Sequence, residues 1–111
     1  MKNVFAFVCA PENSTPGAIH EYCRELYKMG YTPISPALQF APFLNDNDPV
    51  QREDRKRMAN ALLRRCRVLV LCSDTVTEEM EISMMCAKRN HIVATTLAGV
   101  KKISAHIRTA G

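Results

Sequence analysis

The sequence predicts an α/β fold built on a parallel sheet, and three observations carry that prediction. Two short runs, at 4–9 and 68–71, are continuously apolar rather than alternating, which suits strands covered on both faces. Between the predicted strands lie segments whose apolar residues recur at three- and four-residue intervals, the period of an amphipathic helix. Strand and helix alternate from end to end, so right-handed crossovers are expected.

The first strand covers 4–9. The start of the chain superficially imitates a signal peptide, but its apolar run is short and leads straight into a crossover, so it reads as a buried strand. Ser14-Thr15-Pro16 then starts a helix, with Thr15 as N-cap and Pro16 at the first helical position. Ile19, Tyr22, Cys23, Leu26 and Tyr27 define its buried face, and Gly30 ends it in the left-handed conformation. A second strand covers 31–35 and stops at Pro36. A helix over 49–65 turns Val50, Met58, Ala61 and Leu62 inward, and the third strand, 68–71, follows it. A helix over 77–89 buries Met80, Met84 and Ala87, a fourth strand covers 92–95, and 100–107 suits a terminal helix.

Nothing in the 111 residues reads as a repeat, low-complexity stretch or linker, so 1–111 is expected to be one domain. The simplest arrangement of four to five parallel strands is order 2-1-3-4(-5), a three-layer sandwich of the flavodoxin-like kind. Ligands of such sheets bind beyond the carboxyl ends of the strands, at the switch between strands one and three. That places Cys9, Ala10, Pro11, Asn13 and Ser14 at the expected crevice, with Ser35 and Pro36 from strand two. Ser73, Asp74 and Thr77 join them from the exit of strand three.

The connector 36–48 is longer than most loops of compact domains, and such loops are usually functional or disordered. Leu38, Phe40, Phe43 and Leu44 are too apolar to sit solvated. The segment is therefore expected to pack its own aromatics and to present Asp46, Asn47 and Asp48 as a wall of the crevice. Asp48 has a second reading as the cap of the helix whose first residue is Pro49.

Composition narrows the function. With 47% hydrophobic and 23% charged residues this is an ordinary soluble globular chain, and no run approaches the roughly 20 apolar residues of a membrane span. The net charge of +4 is local: Arg52, Arg55, Lys56, Arg57, Arg64, Arg65 and Arg67 lie on or just after one helix, interleaved with Glu53 and Asp54. No aromatic interleaves with them, so a solvated helix face is preferred to a nucleic-acid stripe. The five cysteines, an odd count without a CxxC, argue for reduced thiols in a cytoplasm. His20, His91 and His106 are far apart and make no metal-ligand pattern.

The exit of strand one, Cys9 to Gly17, lacks a dinucleotide fingerprint, so no such cofactor is expected. The helix start near Thr15 could still hold a phosphate, or Ser14 and Thr15 could only cap. Acids dominate the rest: Glu12, Asp46, Asp48, Asp74, Glu78, Glu79 and Glu81. Carboxylates converging on a crevice suit chemistry at a sugar's anomeric carbon, as nucleophile or as stabiliser of a sugar cation. Glu78 and Glu79 also suit the dipole of the helix they open.

Tyr22-Cys23-Arg24, Pro33 to Pro36, Phe43 to Pro49, Cys66 and Val68 to Leu71 together resemble a small bacterial and phage family without a settled function, related to the nucleoside 2-deoxyribosyltransferases. The resemblance runs over 4–94, and 43–49 is its most specific piece. It implies a flavodoxin-like domain, usually oligomeric, with a nucleoside or nucleotide at the strand ends. It also implies N-glycosidic cleavage or exchange by a glutamate on the helix after strand three, with aspartates orienting the sugar. A neighbouring subunit often completes such a pocket.

The chain departs from that pattern: Ser83 stands where the resemblance implies the glutamate, and Ala37 where relatives often have histidine. Glu79 lies four residues before Ser83, one turn away on the same helix face, and is the substitute nucleophile. Glu81 points roughly 200° away from Ser83. The expected catalytic residues are thus Glu79, Asp46 and Asp48, with Asn47 and Ser83 among the binding residues. Three functions stay open: an N-glycosidase or deoxyribosyltransferase, a nucleotide-binding module that has lost the chemistry, and an interaction protein with a vestigial pocket.

Overall fold

The computed structural model describes residues 4–102. Its elements run β1 (Val4–Cys9), α1 (Pro16–Lys28), β2 (Tyr31–Ile34), α2 (Pro36–Phe40), α3 (Pro49–Leu63), β3 (Val68–Leu71), α4 (Glu78–Arg89) and β4 (Val93–Thr96). The four strands are all parallel and lie in the order β2-β1-β3-β4. No fifth strand occurs among the described residues. Residues 97–102 are helical, so the terminal helix begins earlier than the expected 100, and the rest of that expectation lies outside the described residues.

Side chains alternate across a strand, so each central strand feeds two cores. Ala6 and Val8 of β1 and Val68 and Val70 of β3 pack with Ile19 and Leu26 of α1 and with Val100. Phe7 and Cys9 of β1 and Leu69 and Leu71 of β3 pack with Leu63 of α3 and Met80 and Ala87 of α4. Helices therefore cover both faces of a flavodoxin-like three-layer sandwich, which is why the central strands are apolar without alternation.

The same local chemistry starts three helices. Thr15, Ser35 and Asp48 each accept a main-chain N–H of the helix they open, and each is followed by proline. Proline suits the first helical position because its missing N–H is one the helix leaves unpaired there. At Ser35-Pro36 this turns the start of the expected loop into α2, so Pro36 opens a helix as well as stopping a strand. Gly30 (φ +93°) follows α1 in the left-handed region, as expected.

Several expected core positions are different. Tyr27 is 71% and Val50 69% exposed, and Ala61 is exposed too. In α3 the fully buried residue is Leu63, because the helix turns Arg55, Ala59 and Leu63 toward the sheet side. β4 is shifted by one residue, to Val93–Thr96. The connector is ordered by hydrogen bonding as much as by its aromatics. Phe40 is buried and meets Phe43 edge-on at 6.0 Å, but Phe43 remains 63% exposed.

Candidate functional site

A cavity of about 510 Å³ opens at the carboxyl ends of β1 and β2, a size ordinary for small-molecule sites. Its floor is the exit of β1, with Cys9, Ala10 and Pro11. One wall is α2 with Ser35 and Pro36, and the opposite wall is α4 with Glu79, Met80 and Ser83. Asp46 of the connector and Arg55 and Ala59 of α3 close the side between them. This is the switch point where β1 leads outward to β2 and β3 lies on its other flank.

The electrostatics centre on Arg55. Its Nε donates to Asp46 Oδ1 at 2.9 Å, and its Nη2 lies 3.6 Å from Glu79 Oε1. The Arg55 side chain is only 20% exposed, so the bridge is better shielded than an ordinary surface pair. Around it, Lys56 and Arg57 make outward pairs with Glu53 and Asp54, as a solvated face would. Arg55 is the exception: it was expected on that face and turns into the crevice instead.

At the opposite rim the Thr77 hydroxyl donates to Glu12 Oε1. Thr77 also caps α4, accepting the Met80 N–H at 3.3 Å. The β1–α1 turn and the start of α4 are thereby latched together. Among the described residues Glu12, Asp46 and Glu79 against Arg55 are the charged residues lining the cavity, three carboxylates to one guanidinium, a formal excess of two negative charges.

Cys9 lines the cavity as a neutral thiol. Burial, and secondarily the nearby Glu12 carboxylate, push its pKa up to about 12, so it is no thiolate nucleophile at neutral pH. Cys72 is held at about 12 chiefly by burial. Among the described residues no three His, Cys, Asp or Glu side chains gather to hold a metal ion.

Of the residues singled out from sequence for the crevice, Cys9, Ala10, Pro11, Glu12, Ser14, Ser35, Pro36, Asp46, Glu79 and Ser83 share this cavity. Asn13, Asn47, Asp48, Ser73, Asp74 and Thr77 are not among its lining residues. Asp48 is a helix cap: it accepts the Val50 N–H at 2.9 Å and a bond from Gln51 Nε2 at 3.2 Å. Asn47 donates its N–H to Asn45 Oδ1 within the connector turn. Ser73 accepts the Thr75 N–H in the turn after β3. Of the remaining acids, Glu78 and Glu81 stay in the exposed first turn of α4.

Arg55 is the functional-site residue that sequence reasoning missed. Its signal was available, since it lies at helical spacing from Ala59 and Leu62, on the inner side of α3. A charge run masked it.

The family model described as Domain of unknown function (DUF7768) matches residues 7–97, from β1 through β4. The chain belongs to the DUF7768 family. The match takes in every described residue lining the cavity of this DUF7768 domain. No curated protein matches the chain significantly.

Proposed function

We propose that the crevice of this DUF7768 domain binds a nucleoside or nucleotide and cleaves or exchanges its N-glycosidic bond, with Glu79 as nucleophile. The observation that carries the reading is the bridge from Arg55 to Glu79 and Asp46, inside a cavity of about 510 Å³ at the sheet's switch point. Arg55 faces Oε1 of Glu79, which leaves Oε2 for the anomeric carbon. Its bond to that carbon forms as the carbon–nitrogen bond breaks, and the electron pair leaves with the base, which takes a proton from solvent. Water or a second base then displaces the carboxylate. Ser83, one turn along, offers the sugar a hydrogen bond, and Asp46 keeps its second oxygen for a hydroxyl.

A second reading has its own observation. A guanidinium 3.6 Å from the nucleophile disfavours the positive charge that develops on the sugar, which suits a module that binds the nucleotide without turning it over. Base release separates the two. Purified protein is incubated with ribo- and deoxyribonucleosides and their monophosphates, and free base is followed by chromatography. Release that is lost in Glu79→Ala establishes the enzyme; no release at high enzyme and long times favours the binding module, which ligand-induced stabilisation then separates from the interaction protein.

The reading needs no cofactor, and its partner is a small molecule rather than a nucleic-acid polymer. Five free thiols fit a reducing cytoplasm. No described helix is long and apolar enough to cross a membrane. A homo-oligomer is supported by β4, the sheet's edge among the described strands, with Val93 66% exposed and Ile82 and Met85 of α4 exposed nearby in sequence.

A further inference from the structure

We propose that the crevice selects the uncharged nucleoside over its phosphorylated forms, and that Glu12 is the residue that rejects phosphate. This deepens the nucleoside reading above and rests on it. The argument begins with what an anion would need. Phosphates bind proteins at free helix N-termini, where main-chain N–H groups converge, or against unpaired arginine and lysine.

Both are depleted here. At the start of α1, Pro16 has no N–H and the Ala18 N–H is already given to Thr15 Oγ1 at 3.1 Å, so two of the first three amides are closed to a ligand. At the start of α4, Thr77 takes the Met80 N–H and its hydroxyl is bonded to the Glu12 carboxylate. Glu78, Glu79 and Glu81 fill the first turn of that helix with further negative charge. The protein's own acids thus occupy the region where a helix dipole would otherwise welcome an anion.

The cations tell the same story. Among the described residues Arg55 is the only Lys or Arg lining the cavity, and it is engaged by two carboxylates at 2.9 and 3.6 Å. A phosphate entering there would compete with Asp46 and Glu79 for one guanidinium in a cavity that the Glu12 carboxylate also lines. What remains is a cavity with Ser14, Ser35 and Ser83 hydroxyls, an apolar floor and carboxylates able to accept sugar hydroxyls. That is a lining for a neutral polar ligand. Specificity of this kind comes from repulsion of the competitor as much as from attraction of the substrate.

The test is isothermal titration calorimetry with adenosine, 2′-deoxyadenosine, 2′-deoxyguanosine, 2′-deoxycytidine and thymidine, each against its 5′-monophosphate. For any base that binds, the nucleoside is expected to bind at least about fivefold more tightly than the monophosphate, the scale of a like-charge contact in a half-exposed site. The gap should narrow as salt rises. Glu12→Gln keeps a partner for the Thr77 hydroxyl and removes the charge, so it should shrink the ratio of monophosphate to nucleoside dissociation constants. Glu12→Ala removes both and should move the ratio the same way, so a folding loss in one variant does not decide the matter. A monophosphate that binds as tightly as its nucleoside, or a ratio unmoved in both variants, overturns the proposal. Failure of every nucleoside and every monophosphate to bind overturns the nucleoside reading itself.

Discussion

Arg55 and Glu79 lie on different helices, 24 positions apart by number, yet their side chains approach to 3.6 Å in the lining of the cavity. The same guanidinium holds Asp46 of the connector at 2.9 Å. One side chain from α3 therefore ties the connector to α4 and sets the direction of the carboxylate that the proposed chemistry uses. Arg55→Ala should cost about 1–2 kcal/mol of stability, between the worth of an exposed pair and that of a buried one. Arg55→Lys should recover only part of it, because an ammonium cannot reproduce the fork that reaches two partners. Urea denaturation of the two variants reads both effects, and a loss below about 0.3 kcal/mol for Arg55→Ala would sink this account.

Thr77 caps α4 and carries the latch to Glu12. Thr77→Val leaves the Met80 N–H and the Glu12 carboxylate without this partner and should cost about 1–2 kcal/mol. Thr77→Ser keeps the oxygen and should cost less than half as much. Equal losses for valine and serine in chemical denaturation would mean that the hydroxyl is unimportant.

His91 follows α4 with φ at 57°, in the left-handed region. Its N–H bonds to Lys88 O at 3.1 Å, and the Ile92 N–H reaches back to Ala87 O at 2.8 Å, the pair of bonds that closes a helix in the Schellman manner. A side chain with a Cβ is strained there. His91→Gly should raise stability by about 0.5–1 kcal/mol, the strain relieved less the added freedom of the unfolded chain. A lower thermal midpoint for this variant would contradict the geometry.

Alkaline pH should unfold this protein through its buried thiols. Burial raises Cys9 and Cys72 from an ordinary 9.0 to about 12 and Cys66 to about 11. Above pH 9 the unfolded chain loses these protons and the folded one keeps them, so stability is full below pH 9 and falls as pH climbs toward 12. Each thiol contributes a slope of about 1.4 kcal/mol per pH unit in that window. The denaturation midpoint measured from pH 8 to 11 should fall, and Cys9→Ala should flatten the fall. A midpoint constant to pH 11 would rule this mechanism out.

Asp46 and Asp48 are neighbours with different tasks, one paired to Arg55 and one capping α3. Asp48→Ala should cost about 1 kcal/mol of stability, the usual worth of an N-cap, and leave the proposed nucleoside binding within twofold of the parent. Asp46→Ala should weaken that binding several-fold. Calorimetry beside a urea melt distinguishes them, and the reverse pattern would reassign the two aspartates.

The sheet order, the three layers and the starts of α1, α3 and α4 were legible in the residues. Short, valine-rich apolar runs such as Val68 to Leu71 suit a strand buried on both faces, and Thr15-Pro16 and Asp48-Pro49 carry their capping chemistry locally. α2 was also written there, in Ser35-Pro36, but Pro36 was read as a strand breaker and not as a first helical residue. Tyr27 and Val50 misled because periodicity marks a face and does not say how far the neighbouring layer extends over it.

The sequence alone pointed to the crevice at the strand ends as the candidate site, since the switch between β1 and β3 follows from the strand order it predicts. It also brought Glu79 and Ser83 to one face, because helical spacing is a local property. Which charges meet was decided by tertiary structure. Arg55 with Glu79 and Asp46, and Glu12 with Thr77, join residues far apart in the chain, and no local pattern sets the angle at which α3, α4 and the connector pack. Side-chain partnerships across elements depend on that packing, whereas strands, caps and helix faces depend on a few neighbouring residues.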